Sequence, residues 1–299
     1  MSLFSGLGVA MVTPFDRDGA VDLPALKRLT RHLIDGGVDF LVVHGTTGET
    51  PVLSADEKRA TLDAVLEENA GQLPVVVGAG GNNTSALCAQ LESANTNGIS
   101  GWLSASPSYN KPSQVGIVAH YRAVAESTDL PIILYNVPGR TASNVRAETT
   151  LAVVDACANV VAVKEASGDL EQMQDILAHA PKGFSLLSGD DALTVPILSL
   201  GGHGIISVIG NAYPEQFSEL VRAGIEGDFV TARLAHYRLR ALMQAIFAEG
   251  NPAGVKQALD FLGICTSQVR LPLVPASTGL QKRLRTLVDE QASFAAVSK

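Results

Sequence analysis

Apolar residues in this chain fall into short unbroken runs. Longer stretches separate them, in which apolar positions recur every three or four residues. The runs are Leu7–Val12, Phe40–His44, Pro74–Gly78, Gly101–Ser104, Ile132–Asn136, Val160–Lys164, Ser185–Ser188 and Gly204–Ser207. They are continuous rather than alternating, the pattern of strands covered on both faces. Between them the spacing turns helical. Leu23–Asp35 follows Asp22 and carries Pro24 in its first turn. Ser54–Asn69 opens with Ser54 and Glu57 at the spacing of a capping box. Thr84–Asn95, Ser113–Ser127, Arg146–Ala156, Asp169–His179 and Asp191–Leu200 follow, and glycine or proline marks most joins.

Strand-then-helix units in that number predict a (β/α)8 TIM barrel rather than a doubly wound sheet. From about residue 212 the strand pattern stops. Tyr213–Gly224 supplies the eighth barrel helix, and Asp228–Glu249, Pro252–Leu262 and Leu280–Lys299 read as further helices. The expected organisation is a catalytic barrel over residues 1–226 with a C-terminal helical extension over 227–299.

Barrel enzymes carry their active sites at the C-terminal ends of the strands. That rule turns the strand ends into candidates: Gly45-Thr46-Thr47-Gly48-Glu49 after the second strand, and Ser106-Pro107-Ser108-Tyr109-Asn110 after the fourth. Tyr135 to Arg140 ends the fifth, Lys164 the sixth and Ser188 to Asp191 the seventh, and Ile205-Ile206-Ser207 lies in the eighth.

Composition narrows the function. Only 17% of the 299 residues are charged, against roughly 25% in an ordinary globular chain, so a large core and surface buried between subunits are expected. A net charge of −8 without a basic cluster argues against nucleic acid and anionic membranes as partners. Cys88, Cys157 and Cys265 are far apart and odd in number, which fits reduced thiols in a cytoplasmic protein. No apolar run approaches a membrane span, and no signal peptide is read. The six histidines form no ligand cluster, so no metal and no cofactor is expected. Gly78–Gly81 and Gly201–Gly204 lack the full spacing of a phosphate loop and read as turns.

Lys164 poses the chemical question. Position alone leaves two readings: an ion pair with Glu165 or another carboxylate, or an amine whose pKa is lowered by apolar walls and which attacks carbonyls. Tyr135, one strand away, is an ordinary buried tyrosine or a proton shuttle for that amine. The Thr46–Thr47 turn offers hydroxyls and backbone N–H groups that suit a carboxylate. Arg140, after Pro138-Gly139, is a surface charge or a bidentate carboxylate clamp.

The segments GTTGE at 45–49, SYNKP at 108–112, YNVPGRT at 135–141, VKEASGD at 163–169 and LSGDD at 187–191 resemble the dihydrodipicolinate synthase family of pyruvate-dependent class I aldolases. The match runs in register from about residue 5 to 225, and more loosely beyond. The resemblance implies condensation of pyruvate with aspartate semialdehyde, on the route through diaminopimelate to lysine. Lys164 would form the imine, and Thr46, Tyr135 and Tyr109 a proton relay. Thr47 would hold the pyruvate carboxylate and Arg140 that of the second substrate, with backbone oxygens from Gly189 and Ile206. Tyr109 would come from a neighbouring subunit within a homotetramer, a dimer of dimers.

Rival readings are a lyase for 2-keto-3-deoxy sugar acids, a non-catalytic metabolite-binding barrel, and a flavin or phosphate barrel using Gly201–Gly204. Arg140 argues against the first, since it implies a carboxylate close to the aldehyde. The complete Lys164, Tyr135, Thr46 and Tyr109 set argues against the second, and a colourless protein without affinity for phosphate esters would remove the third. The chain also departs from lysine-inhibited members of the family. Their interface tyrosine, glutamate and histidine or tryptophan are replaced here by Ser108, Ala86 and Ala55, with Asn82 kept. An ammonium ligand would lose its carboxylate and its aromatic wall. Turnover is therefore expected to be unaffected by micromolar lysine, and inhibition in that range in a steady-state assay would contradict this.

Overall fold

The chain is described by a computed structural model covering residues 3–297. Eight parallel strands close on one another: β1 (Gly6–Ala10), β2 (Phe40–Val43), β3 (Val75–Gly78), β4 (Gly101–Ala105), β5 (Ile132–Asn136), β6 (Val160–Glu165), β7 (Ser185–Ser188) and β8 (Gly204–Ser207). Closure comes where β8 pairs with β1, from Gly6 opposite Gly204 to Val9 opposite Ser207. The expected TIM barrel is what forms.

Helices α1 (Leu23–Asp35), α2 (Ala55–Asn69), α3 (Thr84–Glu92), α4 (Gln114–Glu126), α5 (Pro138–Thr141), α6 (Ala147–Ala156), α7 (Leu170–His179), α8 (Thr194–Ser199) and α9 (Pro214–Ile225) lie between or after the strands. Several of their starts are set by side chains that satisfy the first free N–H groups. Asp22 accepts from Ala25 N, Asn83 from Ala86 N, and Ser113 from Gly116 N. The Ser54–Glu57 capping box is complete.

Differences from the pattern-based limits have local causes. The ladder of β1 stops at Ala10 because the Asn211 side chain takes its place: Asn211 Oδ1 accepts from Val12 N, and its Nδ2 donates to Ala10 O. His44 leaves β2 with φ of 58°, a left-handed backbone. The segment expected as one helix over Asp191–Leu200 is a tight turn, Asp191–Leu193, followed by α8, because the Asp191 carboxylate is held on the end of β8. α3 ends at Glu92, where the Ser93 hydroxyl bonds back to Ala89 O.

The strands separate two apolar volumes. Phe4, Phe40, Val42, Val76, Leu103 and Ile133 belong to the group that fills the barrel. Outside, residues such as Leu7, Val9 and Leu41 pack in one body with the C-terminal helices α10 (Phe229–Ala245), α11 (Ala253–Phe261) and α12 (Thr278–Val297). The expected 226/227 division falls in the turn between α9 and α10. Ser298 and Lys299, part of the last expected helix, lie outside the described residues.

Gly78 is among the glycines demanded by packing. A Cβ on Gly78 would stand 2.0 Å from His44 O, so the ends of β2 and β3 approach only because it is absent. Gly78→Ala is expected to cost about 1–3 kcal/mol through overpacking, read as a lower denaturant midpoint at unchanged slope.

Candidate active site

Lys164 reaches the inside of the barrel through an irregularity. Ile132 pairs with Val160, but Ile133 pairs with Ala162, so β6 carries one extra residue there. Val160 faces the outer core, Val161 and Ala162 both pack toward the inner one, and Val163 faces out again. That β-bulge resets the alternation, leaving Lys164 inward and Glu165 outward.

The two neighbours then live in different surroundings. Lys164 is 5% exposed, and its Nζ stands 4.3 Å from the centroid of the Tyr135 ring, its register partner on β5. None of the ion pairs among the described residues includes it. The Glu165 pairing, one of the two readings of the sequence, does not form. Glu165 instead accepts from Asn136 Nδ2, Ser167 N and Gln172 Nε2 behind the strands. Burial pushes its carboxyl pKa up, against the pull of those donors.

Tyr135 is also buried, and Ile206 lies fully buried inside the barrel. Gly189 follows β7, where its N–H donates to Glu165 O; a Cβ there would meet Ala166 at 2.5 Å. Thr46 and Thr47 form a tight turn, Thr46–Gly48, after β2. Thr46 is exposed, whereas Thr47 is buried and accepts from Asn251 Nδ2 at 2.8 Å. A cavity of about 800 Å³ shares Thr46 and Tyr135 as walls and runs outward past Gly80 and Leu103 to Lys58 and Arg59. His44 lines it as well; burial and the nearby Lys58 charge lower its pKa to about 4, so its ring is neutral.

Two candidates stand apart. Arg140 sits exposed in the short helix α5. Tyr109 is 87% exposed, with a left-handed φ of 70°. A single chain brings Lys164, Tyr135 and Ile206 together inside the barrel with Gly189 and the two threonines at its mouth, and leaves Tyr109 in solvent.

Several supporting contacts were not marked by the sequence pattern, although Asp191 and Glu49 stand among its strand-end candidates. Asp191 is fully buried and accepts from Ser207 Oγ, Val208 N and Ile209 N, which fixes the chain just after Ile206. Glu49 pairs with Lys256 of α11, and Asn251 precedes the same helix. Local signals do not reveal them, since each partner is remote in sequence.

A closed parallel barrel with a buried amine, a phenol and hydroxyls at its C-terminal mouth has the architecture of a barrel enzyme. Residues 3–291 match the sequence model of the Dihydrodipicolinate synthetase family. The chain is 46% identical over 285 residues to the 4-hydroxy-tetrahydrodipicolinate synthase of Parabacteroides distasonis, covering 95% of this chain and 96% of that one. It superimposes on the dihydrodipicolinate synthase of Thermotoga maritima with a TM-score of 0.94 at 41% identity, over 97% and 99% of the two chains. A monomeric dihydrodipicolinate synthase variant matches as well, with a TM-score of 0.94 at 41% identity over 97% of each chain. The chain belongs to the dihydrodipicolinate synthetase family, and with it to the lyases.

Asp191 makes a prediction. Burial raises its pKa to about 6, above the ordinary carboxylate value. A carboxyl raised on folding favours the folded state more as pH falls through that value. The stability of the native protein relative to Asp191→Asn should therefore rise between pH 7 and pH 4, followed by denaturant unfolding at several pH values. A flat difference would show that Asp191 ionises as freely folded as unfolded.

Proposed function

We propose that this chain condenses pyruvate with L-aspartate 4-semialdehyde to 4-hydroxy-tetrahydrodipicolinate, through an imine on Lys164. The observation that carries this reading is the buried Lys164 amine over the Tyr135 ring, inside the barrel and without a carboxylate partner. The curated relatives bearing that synthase name support the choice of substrates.

In this reading the free amine of Lys164 attacks C2 of pyruvate. The carbinolamine loses water to give the imine, and loss of a methyl proton gives an enamine. The enamine carbon adds to the aldehyde carbon of the second substrate. That substrate's own amine then displaces Lys164 and closes the ring, returning the lysine. Tyr135 lies within reach to pass protons in these steps, with Thr46 next in line at the mouth. Thr47 and the backbone of its turn hold the pyruvate carboxylate. Arg140, free at the rim, takes the carboxylate of the semialdehyde as a planar fork. Gly189 and Ile206 offer backbone oxygens beside the amines.

Tyr109 completes the relay from a second copy. Its exposure and left-handed backbone support a side chain held outward for a neighbour rather than folded back. The assembly we infer is a homotetramer built as a dimer of dimers, in the cytoplasm. The Asn82 side chain donates to Ser108 O beside Tyr109, and Ser108 brings no aromatic ring to that interface, in keeping with the expected indifference to lysine.

The test couples product formation from the two substrates to a reductase that consumes it, with borohydride trapping of the pyruvate imine read by mass spectrometry. Lys164→Ala should abolish both signals. Tyr135→Phe should lower kcat by about 10²–10⁴-fold, the ordinary value of a placed acid–base group. Arg140→Ala should raise KM for the semialdehyde by about 10-fold or more, the loss of a charge-assisted bond, while trapping with pyruvate persists. Trapping without turnover would keep Lys164 as a pyruvate nucleophile and move the second substrate to a sugar-acid aldehyde.

A further inference from the structure

The helical extension grips the Thr46–Gly48 turn from both sides. On one side Asn251, buried and 204 positions away in sequence, donates its Nδ2 to Thr47 Oγ1. On the other, Glu49 follows the turn with a left-handed φ of 53°. Its Oε1 is paired with Lys256, and its Oε2 accepts from Arg270 N. Lys256 also donates to Gln268 O and lies 4.1 Å from the centroid of the Phe15 ring. Both members of the ion pair are buried, and a pair without solvent is costly to break from one side. The turn is therefore fixed in place, and only the Thr47 hydroxyl has a direction left to choose.

A hydroxyl has one proton and two lone pairs. The Asn251 N–H occupies a lone pair of Thr47 Oγ1, and that hydroxyl donates to no described residue. Its proton is left over. Asn251 Oδ1 is buried without a hydrogen-bond partner, so the amide is held by its donor side alone. We propose that Asn251 is a positioning residue for the substrate carboxylate. By donating to Thr47 it makes the Thr47 hydroxyl a donor toward the keto acid, and the Glu49–Lys256 pair holds the turn so that the donor points there. This rests on the reading that Thr47 binds the pyruvate carboxylate.

The test uses steady-state kinetics of the full-length protein with pyruvate varied, for Asn251→Asp, Asn251→Ala, Thr47→Val and the double variants. An aspartate accepts only, so it captures the Thr47 proton and reverses the polarity of the pair. Asn251→Asp should raise KM for pyruvate by about 10-fold or more, since a bond to a charged group is lost, with a much smaller change in kcat. Asn251→Ala frees the hydroxyl to rotate and should raise KM by about 2- to 10-fold, the ordinary value of a neutral bond. It also keeps the test available if a buried aspartate prevents folding. In the Thr47→Val background neither change should add to KM, because there is no hydroxyl to orient.

Three results overturn the inference. Asn251→Asp with the pyruvate KM of the native protein would mean that the amide oxygen, not the NH2, faces Thr47. A full Asn251→Asp effect that persists with Thr47→Val would mean direct repulsion of the substrate. Equal losses in kcat and KM for every variant, with a lowered thermal midpoint, would mean a purely structural contact. Failure of the underlying reading looks different: Thr47→Val alone would then leave the pyruvate KM unchanged.

Discussion

The site depends on one extra residue in the sixth strand. Without the bulge at Val161, alternation from the outward Val160 would carry Lys164 out of the barrel and Glu165 in. A carboxylate would then stand over Tyr135 and an ammonium among the outer helices. With the bulge, the amine occupies the apolar interior, and the carboxylate finds three donors behind the wall. Charge is placed by strand register, and register here is set by a local break in pairing.

The outer wall carries the polar work that the inner one avoids. Glu165 ties β6 to Asn136 on β5 and to Gln172 on α7. Asp191 ties the end of β7 to the end of β8 through a hydroxyl and two backbone N–H groups. Asn211 ties β8 back to β1. These three buried polar groups cluster at the strand ends, where the ladder supplies fewer partners. The rim of the barrel is stiffened there, while the lumen keeps the single amine of Lys164 amid apolar side chains.

Much of this was legible because it is local. Continuous apolar runs marked all eight strands, and Asp22, Ser54 and Glu57 marked their helix starts within a turn of the groups they cap. The strand-end rule puts Lys164, Tyr135 and the Thr46–Thr47 turn at one end from the sequence alone. The inward sense of Lys164 was not legible, since VVAVKE reads alike with or without a bulge. Nor were the grips on the turn: Asn251 and Lys256 sit over two hundred positions from their partners, with no period or motif joining them. The split of Asp191–Leu200 escaped for a similar reason, as the Asp191 partners lie at the end of the next strand and just beyond it.

The same long separation has a meaning during synthesis. The turn that carries Thr47 leaves the ribosome 204 residues before Asn251 does. At about 5–20 residues per second, the interval is about 10–40 s. For about 4–17 s of it, once Lys164 has been made, a growing chain can carry Lys164 and Tyr135 and still lack a fixed Thr47 turn. A copy cut short between the eighth strand and Asn251 holds every residue of the barrel mouth and none of the grips. The helical extension thus acts as a late check, fastening the turn only in molecules made past Lys256 and Arg270.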